Sequence, residues 1–441
     1  MVLFGRVGLT LLALAWLAFA ASIGPRFVPV GQVSPLTNPA DFRAFYCAGE
    51  AMGQGADPYL VEPLESCERR EARAMGLDLA PGLVTPAPLP PYAIAAFVPI
   101  SHLPFASAVC GWFASILLAI VGTVVALRGA TRLPLVAILL VLASGAIAAE
   151  MLGQMMPIVL ALLVVAAESL AAGRRSLCAG ALALAMIEPH VALPAILALF
   201  VMRADVRVPL AVCGAALLLI ALPVARFGSY AEYFGRELPL HALSEVHALQ
   251  AQDSLTTLLA TLGHVSDRIA LFAGEADYAV MIALGTWLAV RLGPASDRPR
   301  RLVYLPVACA ALGGMFSHSY TFEIALPAAL TLAAMAPRRS MPYWLAAAGI
   351  CLGIVLDARF GEAIVHHGPA VLNAAPDALA SGVSTAYQRS RMPVDPNAIA
   401  LVLALKVPPV LGLLALVIAA SRTALAAGAR PTPANGLPAR A

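Results

Sequence analysis

Arg132-Leu133-Pro134-Leu135-Val136-Ala137-Ile138-Leu139-Leu140-Val141-Leu142-Ala143-Ser144-Gly145-Ala146-Ile147-Ala148-Ala149-Glu150 carries no ionisable side chain between its two ends. A helix over 133–149 approaches the ~20 residues needed to cross a bilayer core of about 30 Å. Lipid offers no partner for backbone N–H and C=O groups, so such a run satisfies them internally, as a helix. Runs of this kind recur along the whole chain. Of 441 residues, 61% are hydrophobic and 12% charged, against about 25% charged in soluble domains. The sequence therefore reads as an all-α, polytopic helical membrane protein. A net charge of +3 gives no reason to expect a nucleic-acid partner. The single lysine, Lys406, stands against 27 arginines; by itself the skew points to no function.

About twelve transmembrane helices follow from the hydropathy, at 7–24, 104–127, 133–149, 157–172, 176–188, 190–202, 208–225, 278–292, 302–316, 322–336, 342–356 and 398–420. The pair 176–188 and 190–202 is short, as tilted, broken or re-entrant segments are. The first run also has the form of a cleaved signal peptide, with Arg6 before it and Ala20, Ala21 and Ser22 near its end. The topology below requires it to be retained.

Basic residues fix the orientation. With the N-terminus in the cytoplasm, the inner segments hold 16 of the 28 Lys and Arg residues, among them Arg128, Arg132, Arg174, Arg175, Arg298, Arg300, Arg301, Arg338 and Arg339. Their acidic residues are Glu168, Asp205 and Asp297. Both termini are then cytoplasmic in a plasma or inner membrane. Residues 1–425 form a single membrane domain, and 426–441 a flexible cytoplasmic tail. The long connections, about 25–103, 226–277 and 357–397, face the periplasm or cell exterior and carry interfacial helices. ATP and nucleotide sugars do not reach that side. No phosphate loop and no CxxC or HExxH spacing is present, so no cofactor and no metal are expected. Adjacent His366 and His367 point apart on a helix and make no metal pair.

Polar chemistry has few places to occur in such a chain. The leading one is Asp41-Phe42-Arg43-Ala44-Phe45-Tyr46-Cys47-Ala48-Gly49-Glu50, followed by Gly55-Ala56-Asp57-Pro58-Tyr59. It sets the Asp41 carboxylate in an aromatic segment after the first span. Cys47 and Cys67 share this loop, and on an oxidising side they are free to form a disulfide if geometry permits. Other polar groups fall near outer helix ends: Glu150 and Gly153-Gln154, Glu188-Pro189-His190, Ser317-His318-Ser319-Tyr320 and Glu323. Each alone is compatible with a solvated helix terminus. Ionisable residues at membrane depth are costly, and together these point to a common cavity. In the second long connection, Arg226 and Arg236 could hold a phosphate through charge-assisted hydrogen bonds, and Tyr233 and its apolar neighbours suit a helix lying on the membrane surface.

The pattern Asp41…Tyr46-x-Ala48-Gly49…Gly55-x-Asp57-Pro58-Tyr59 resembles the first outer loop of glycosyltransferase family 87. Pro90-Pro91-Tyr92, Gly153-Gln154, Gln252-Asp253-Ser254-Leu255 and Ser317-His318-Ser319-Tyr320 resemble its later motifs, in order, over about residues 38–330. The resemblance implies a GT-C-like fold and sugar transfer, mannose first among the hexoses and pentoses, outside the cytoplasm. The donor would be a polyprenyl-phosphate sugar and the acceptor a lipid-linked or envelope glycan. Asp41 would be the general base; Arg226, Arg236 or His318 would meet the leaving phosphate. Gln154, Glu188, His190, Tyr46 and Tyr59 would line the donor and substrate site. Two positions depart from the family. Lys-Pro, often found at the break near residue 188, is here Glu188-Pro189-His190, and a carboxylate repels phosphate unless His190 or an arginine compensates. Asn-Gln is here Gln252-Asp253. Two other readings stay open. A transporter or flippase of an amphipathic solute would show repeated halves and midplane charges on broken helices, and no clear repeat is present. An inactive member of the same fold is motivated by Glu188.

Overall fold

The computed structural model describes residues 39–79, 84–85, 87–201, 206–227, 233–246, 252–313, 318–336, 340–367 and 399–428. The expected first span, 7–24, lies outside the described residues, as does most of the C-terminal tail. The described chain is helical, with no strand among these residues.

Two amphipathic helices come first, α1 (Ala40–Gly53) and α2 (Val61–Ala74), then the short turns α3 (Pro91–Ala95) and α4 (Val98–Ser101). The apolar helices follow: α5 (Phe105–Thr131), α6 (Leu135–Leu152), α7 (Met156–Ala171), α8 (Arg175–Ala185), α9 (Pro189–Leu199) and α10 (Arg207–Phe227). A π-helical turn (Tyr233–Glu237), α11 (Leu238–Glu245) and α12 (Leu255–Thr261) lead to α13 (Asp267–Arg291) and α14 (Arg298–Leu312). A 3-10 turn (Ser319–Ala325) then runs into α15 (Leu326–Met335), and α16 (Met341–His367) and α17 (Ile399–Gly428) complete the bundle. Proline in the first turn opens several of these helices after sharp connections: Pro91, Pro157, Pro189, Pro299 and Pro327. Its missing N–H would have had no helical partner there, and its fixed φ suits the first turn.

Among the described residues, Phe105–Thr131, Asp267–Arg291 and Lys406–Ala426 are long and apolar enough to cross a membrane, and six further apolar helical segments are shorter. Leu117, Leu118, Val121 and Val125 on α5 and Leu210, Leu217 and Leu218 on α10 are exposed, an apolar surface suited to lipid. Two expected connections are shorter than the sequence suggested. Asp267, Arg268, Glu275 and Asp277 break the hydropathy that placed a span at 278–292, yet the helix starts at Asp267, behind Ser266. Charges lower hydropathy without opposing helix, and Asp267 in the first turn favours it. Likewise α16 runs on to His367, through part of the expected connection 357–397.

Neighbouring helices joined by tight turns alternate in direction, so the bundle has two distinct ends. At one, Arg300 at the start of α14 grips Glu168 near the end of α7 with N–H···O distances of 2.8 and 2.9 Å. Beside it, buried Arg301 donates to the carbonyls of Ala289 and Pro294. At the other end lie α1 and the connections α6–α7, α8–α9 and α14–α15. α16 packs along α17, and the 319–325 turn packs on α6, α7, α14 and α16.

Candidate functional site

Asp41 sits in the first turn of α1, whose apolar face lies on an aromatic bed. The Phe42 ring is 5.1 Å from Trp112 and 6.1 Å from Phe105, and Phe45 is 5.4 Å from Phe97. Gly49 permits this seating, since a Cβ there would come within 2.7 Å of the Phe97 backbone. The α6–α7 turn closes on the same helix. Gly153 has φ +74°, and a Cβ on it would lie 2.8 Å from the Cβ atoms of both Pro39 and Phe42. Trp112 Nε1 donates to the Gly153 carbonyl at 2.8 Å. The turn so held directs Gln154 at the base candidate, and its Nε2 donates to Asp41 Oδ2. Glycine is needed for the approach and glutamine for the contact.

Asp41 keeps part of its surface open, yet its carboxyl lies deep enough that burial pushes its pKa up to about 6. The Gln154 hydrogen bond and the Arg43 charge oppose that rise. Arg43 is itself buried, 3% exposed, with Nε 3.6 Å from Glu68 Oε2. Burial lowers the Arg43 pKa and Glu68 counters it. Glu68 also accepts from the Thr85 N–H at 3.1 Å, and burial raises its carboxyl to about 7. The charged run of α2 gave no sign on sequence grounds that Glu68 alone turns inward to serve the helix bearing Asp41.

Cys47 and Cys67 form a disulfide that joins α1 to α2. Tyr46 donates to the Leu103 carbonyl and Tyr59 to that of Leu89, each at 2.8 Å. Both hydroxyls thus brace the platform. The Tyr59 ring lies 5.5 Å from that of Tyr233. Closure of a loop with a sequence separation of 20 residues contributes about 3 kcal/mol by constraining the unfolded chain. Cys47→Ser/Cys67→Ser is expected to lower stability by that order in thermal unfolding. Unchanged unfolding with and without reductant would refute the contribution.

A second group lies at the same end. Glu188 flanks α9, with Oε2 3.4 Å from His190 Nδ1, and His190 is within electrostatic range of His318. Tyr278 of α13 donates to the His190 carbonyl. Tyr92 donates to that of Met186 at 2.5 Å, tying α3 to the α8–α9 break. His318 Nε2 is 3.1 Å from Gln252 Nε2. Next to Gln252, Ser254 caps α12, its hydroxyl accepting from the Thr257 N–H, as N-cap residues do. His318 leads into the 319–325 turn, which packs on α6 and α7, the two helices joined by Gly153-Gln154. The structure therefore pairs Asp41 with Gln154 and gathers Glu188, His190 and His318 on neighbouring elements. The side chains of Glu150, Arg226 and Arg236 lie outside the described residues, as does Ser317. Among the described residues no three His, Cys, Asp or Glu side chains, Glu188, His190 and His318 included, are placed so that they could hold one metal ion. An open cavity of about 610 Å³ along Glu62, Glu65, Arg69 and Arg73 of α2 shares no lining residue with either group.

A carboxylate, an amide and two imidazoles at one end of a helical bundle are groups whose chemistry suits proton transfer and hydrogen bonding to an anion. Residues 89–319, just over half of the chain, match the pattern of glycosyltransferase family 87. The chain belongs to glycosyltransferase family 87, and is an enzyme that transfers sugar. The matched stretch includes Gly153-Gln154, Glu188, Gln252 and His318, while Asp41 lies before it. No curated protein and no solved structure matches the chain.

Proposed function

We propose that this enzyme moves a hexose or pentose, mannose first, from a polyprenyl phosphate to a lipid-linked or envelope glycan, with Asp41 as general base. The contact between Asp41 and the Gly153-Gln154 turn carries the reading. It joins a carboxylate outside the matched stretch to a motif inside it. The acceptor hydroxyl attacks the anomeric carbon as Asp41 takes its proton. The bond from that carbon to the phosphate oxygen breaks, and polyprenyl phosphate leaves with the electron pair. Charge growing on that phosphate requires donors. His318, with Gln252 behind it, takes this role together with Arg226 and Arg236. Glu188, with Oε2 3.4 Å from His190 Nδ1, is compatible with an anionic donor when its carboxyl is protonated, since a neutral carboxyl does not repel phosphate. Twelve spans in a GT-C-like arrangement, both termini cytoplasmic, would place Asp41 on the periplasmic or exterior side, as the arginine bias supports.

Membranes given labelled polyprenyl-phosphate mannose, and separately arabinose, glucose or galactose donors, are expected to pass label to the glycolipid or glycan fraction from one of them. Transfer from a nucleotide sugar instead, or from none of these donors, would sink the proposal. The base must be ionised to act, so kcat/KM is expected to rise with pH through about 6, the Asp41 value. Gln154→Ala removes a hydrogen bond that favours the carboxylate, and should move this limb to higher pH while lowering the plateau. A limb that stays in place in Gln154→Ala would contradict the assignment.

A further inference from the structure

Lys406 is the chain's only lysine. It lies on α17, beyond the stretch that matches the family. Its Nζ donates to Asp253 Oδ1 at 2.8 Å, with the two side chains 10% and 0% exposed. Desolvating two charges is expensive, and a buried ion pair is commonly no more stable than well-packed neutral residues of similar size. Ionisable groups at membrane depth are retained where they serve function. Asp253 lies between Gln252, whose amide meets His318, and Ser254, which caps α12. Residues 252–254 belong to no helix themselves, so the placement of Gln252 depends on what holds its neighbour. Lys406 is a firm support, because it stands on a 30-residue helix packed along α16.

We infer that Lys406 is a positioning residue for sugar transfer: through Asp253 it fixes Gln252 and hence the His318 imidazole at the phosphate end of the site. This rests on the reading of His318 given above. An ion pair that served packing alone would be replaceable by neutral groups without consequence for the reaction.

The test compares three variants with the wild type in detergent, reading thermal unfolding and transfer kinetics with the donor accepted by the wild type. Lys406→Met leaves Asp253 buried and uncompensated, and should lower both stability and transfer. Lys406→Met/Asp253→Asn removes both charges and should recover the unfolding temperature. It should still show a raised donor KM and a kcat/KM lower by roughly 10- to 100-fold, the scale of a misplaced contact group, with the acceptor KM unchanged. Lys406→Arg keeps the charge on a longer, planar head and should unfold normally with a raised donor KM. Wild-type donor KM and kcat in either the neutral double variant or Lys406→Arg would overturn the inference. Asp41→Asn is assayed alongside. If it retains transfer, the reading of the whole site fails. If it is inactive while the Lys406 variants behave as wild type, only the role of Lys406 fails.

Discussion

Asp41→Asn is expected to reduce sugar transfer by about 100- to 10,000-fold, the usual contribution of a positioned general base. The substitution changes little else. Asparagine has nearly the same shape, α1 keeps its aromatic bed of Phe97, Phe105 and Trp112, and the Cys47–Cys67 link is untouched. The side-chain amide can still accept from Gln154 through its oxygen. What is lost is a group able to take a proton near neutral pH. Thermal unfolding within a degree or two of the wild type, with transfer nearly abolished, is the expected pair of results. The pH limb near 6 should also vanish from the residual activity. Full transfer by the variant would remove Asp41 from the chemistry, and unfolding of the variant would make it a structural residue.

The second large effect is expected at Gly153. Gly153→Ala forces an L side chain into φ +74° and drives its Cβ to 2.8 Å from the Cβ atoms of Pro39 and Phe42. These are stem atoms of residues fixed by their own backbone, so neither can swing away. Left-handed strain costs about 1–3 kcal/mol and overpacking about as much again, giving roughly 2–6 kcal/mol in all. The relief available is separation of the α6–α7 turn from α1, which withdraws Gln154 from Asp41. Lower stability and lower transfer should therefore appear together. Gly111→Ala on α5 is the control, since a Cβ there meets nothing within 4 Å. Equal unfolding temperatures for the two variants would refute the steric argument.

Most of the apolar helices were legible because length and apolarity mark them in the sequence. The run that begins at Arg132 needs little beyond its own composition, and α6 and α7 fall within a few residues of the expected bounds. Hydropathy failed at the charged ends of α13 and α16, where it measures solvation rather than helix. Gly153-Gln154 was visible as a motif, but its reason was not: a turn 113 residues from Asp41 in sequence meets that residue only once five helices have packed. Glu68 and Lys406 were opaque for the same cause. Glu68 is one carboxylate among several on α2, and Lys406, though the only lysine, shows no partner in the sequence; Arg43 and Asp253, distant in sequence and close in space, give each its place. Tyr46 and Tyr59 were read as substrate residues from their motif, and their hydroxyls are committed to backbone carbonyls.

The Cys47–Cys67 link bears on how the molecule is made. Both cysteines lie close to Asp41, the proposed base, on α1 and α2, and disulfides persist on an oxidising side of the membrane. If the proposed orientation holds, a chain inserted the other way round would present these thiols to a reducing compartment, and α1 would stay untethered to α2. Arg43 and Glu68, on those two helices, would then lack the covalent tie between them. On the proposed orientation, the covalent link between α1 and α2 would form only in chains that place Asp41 on the oxidising side.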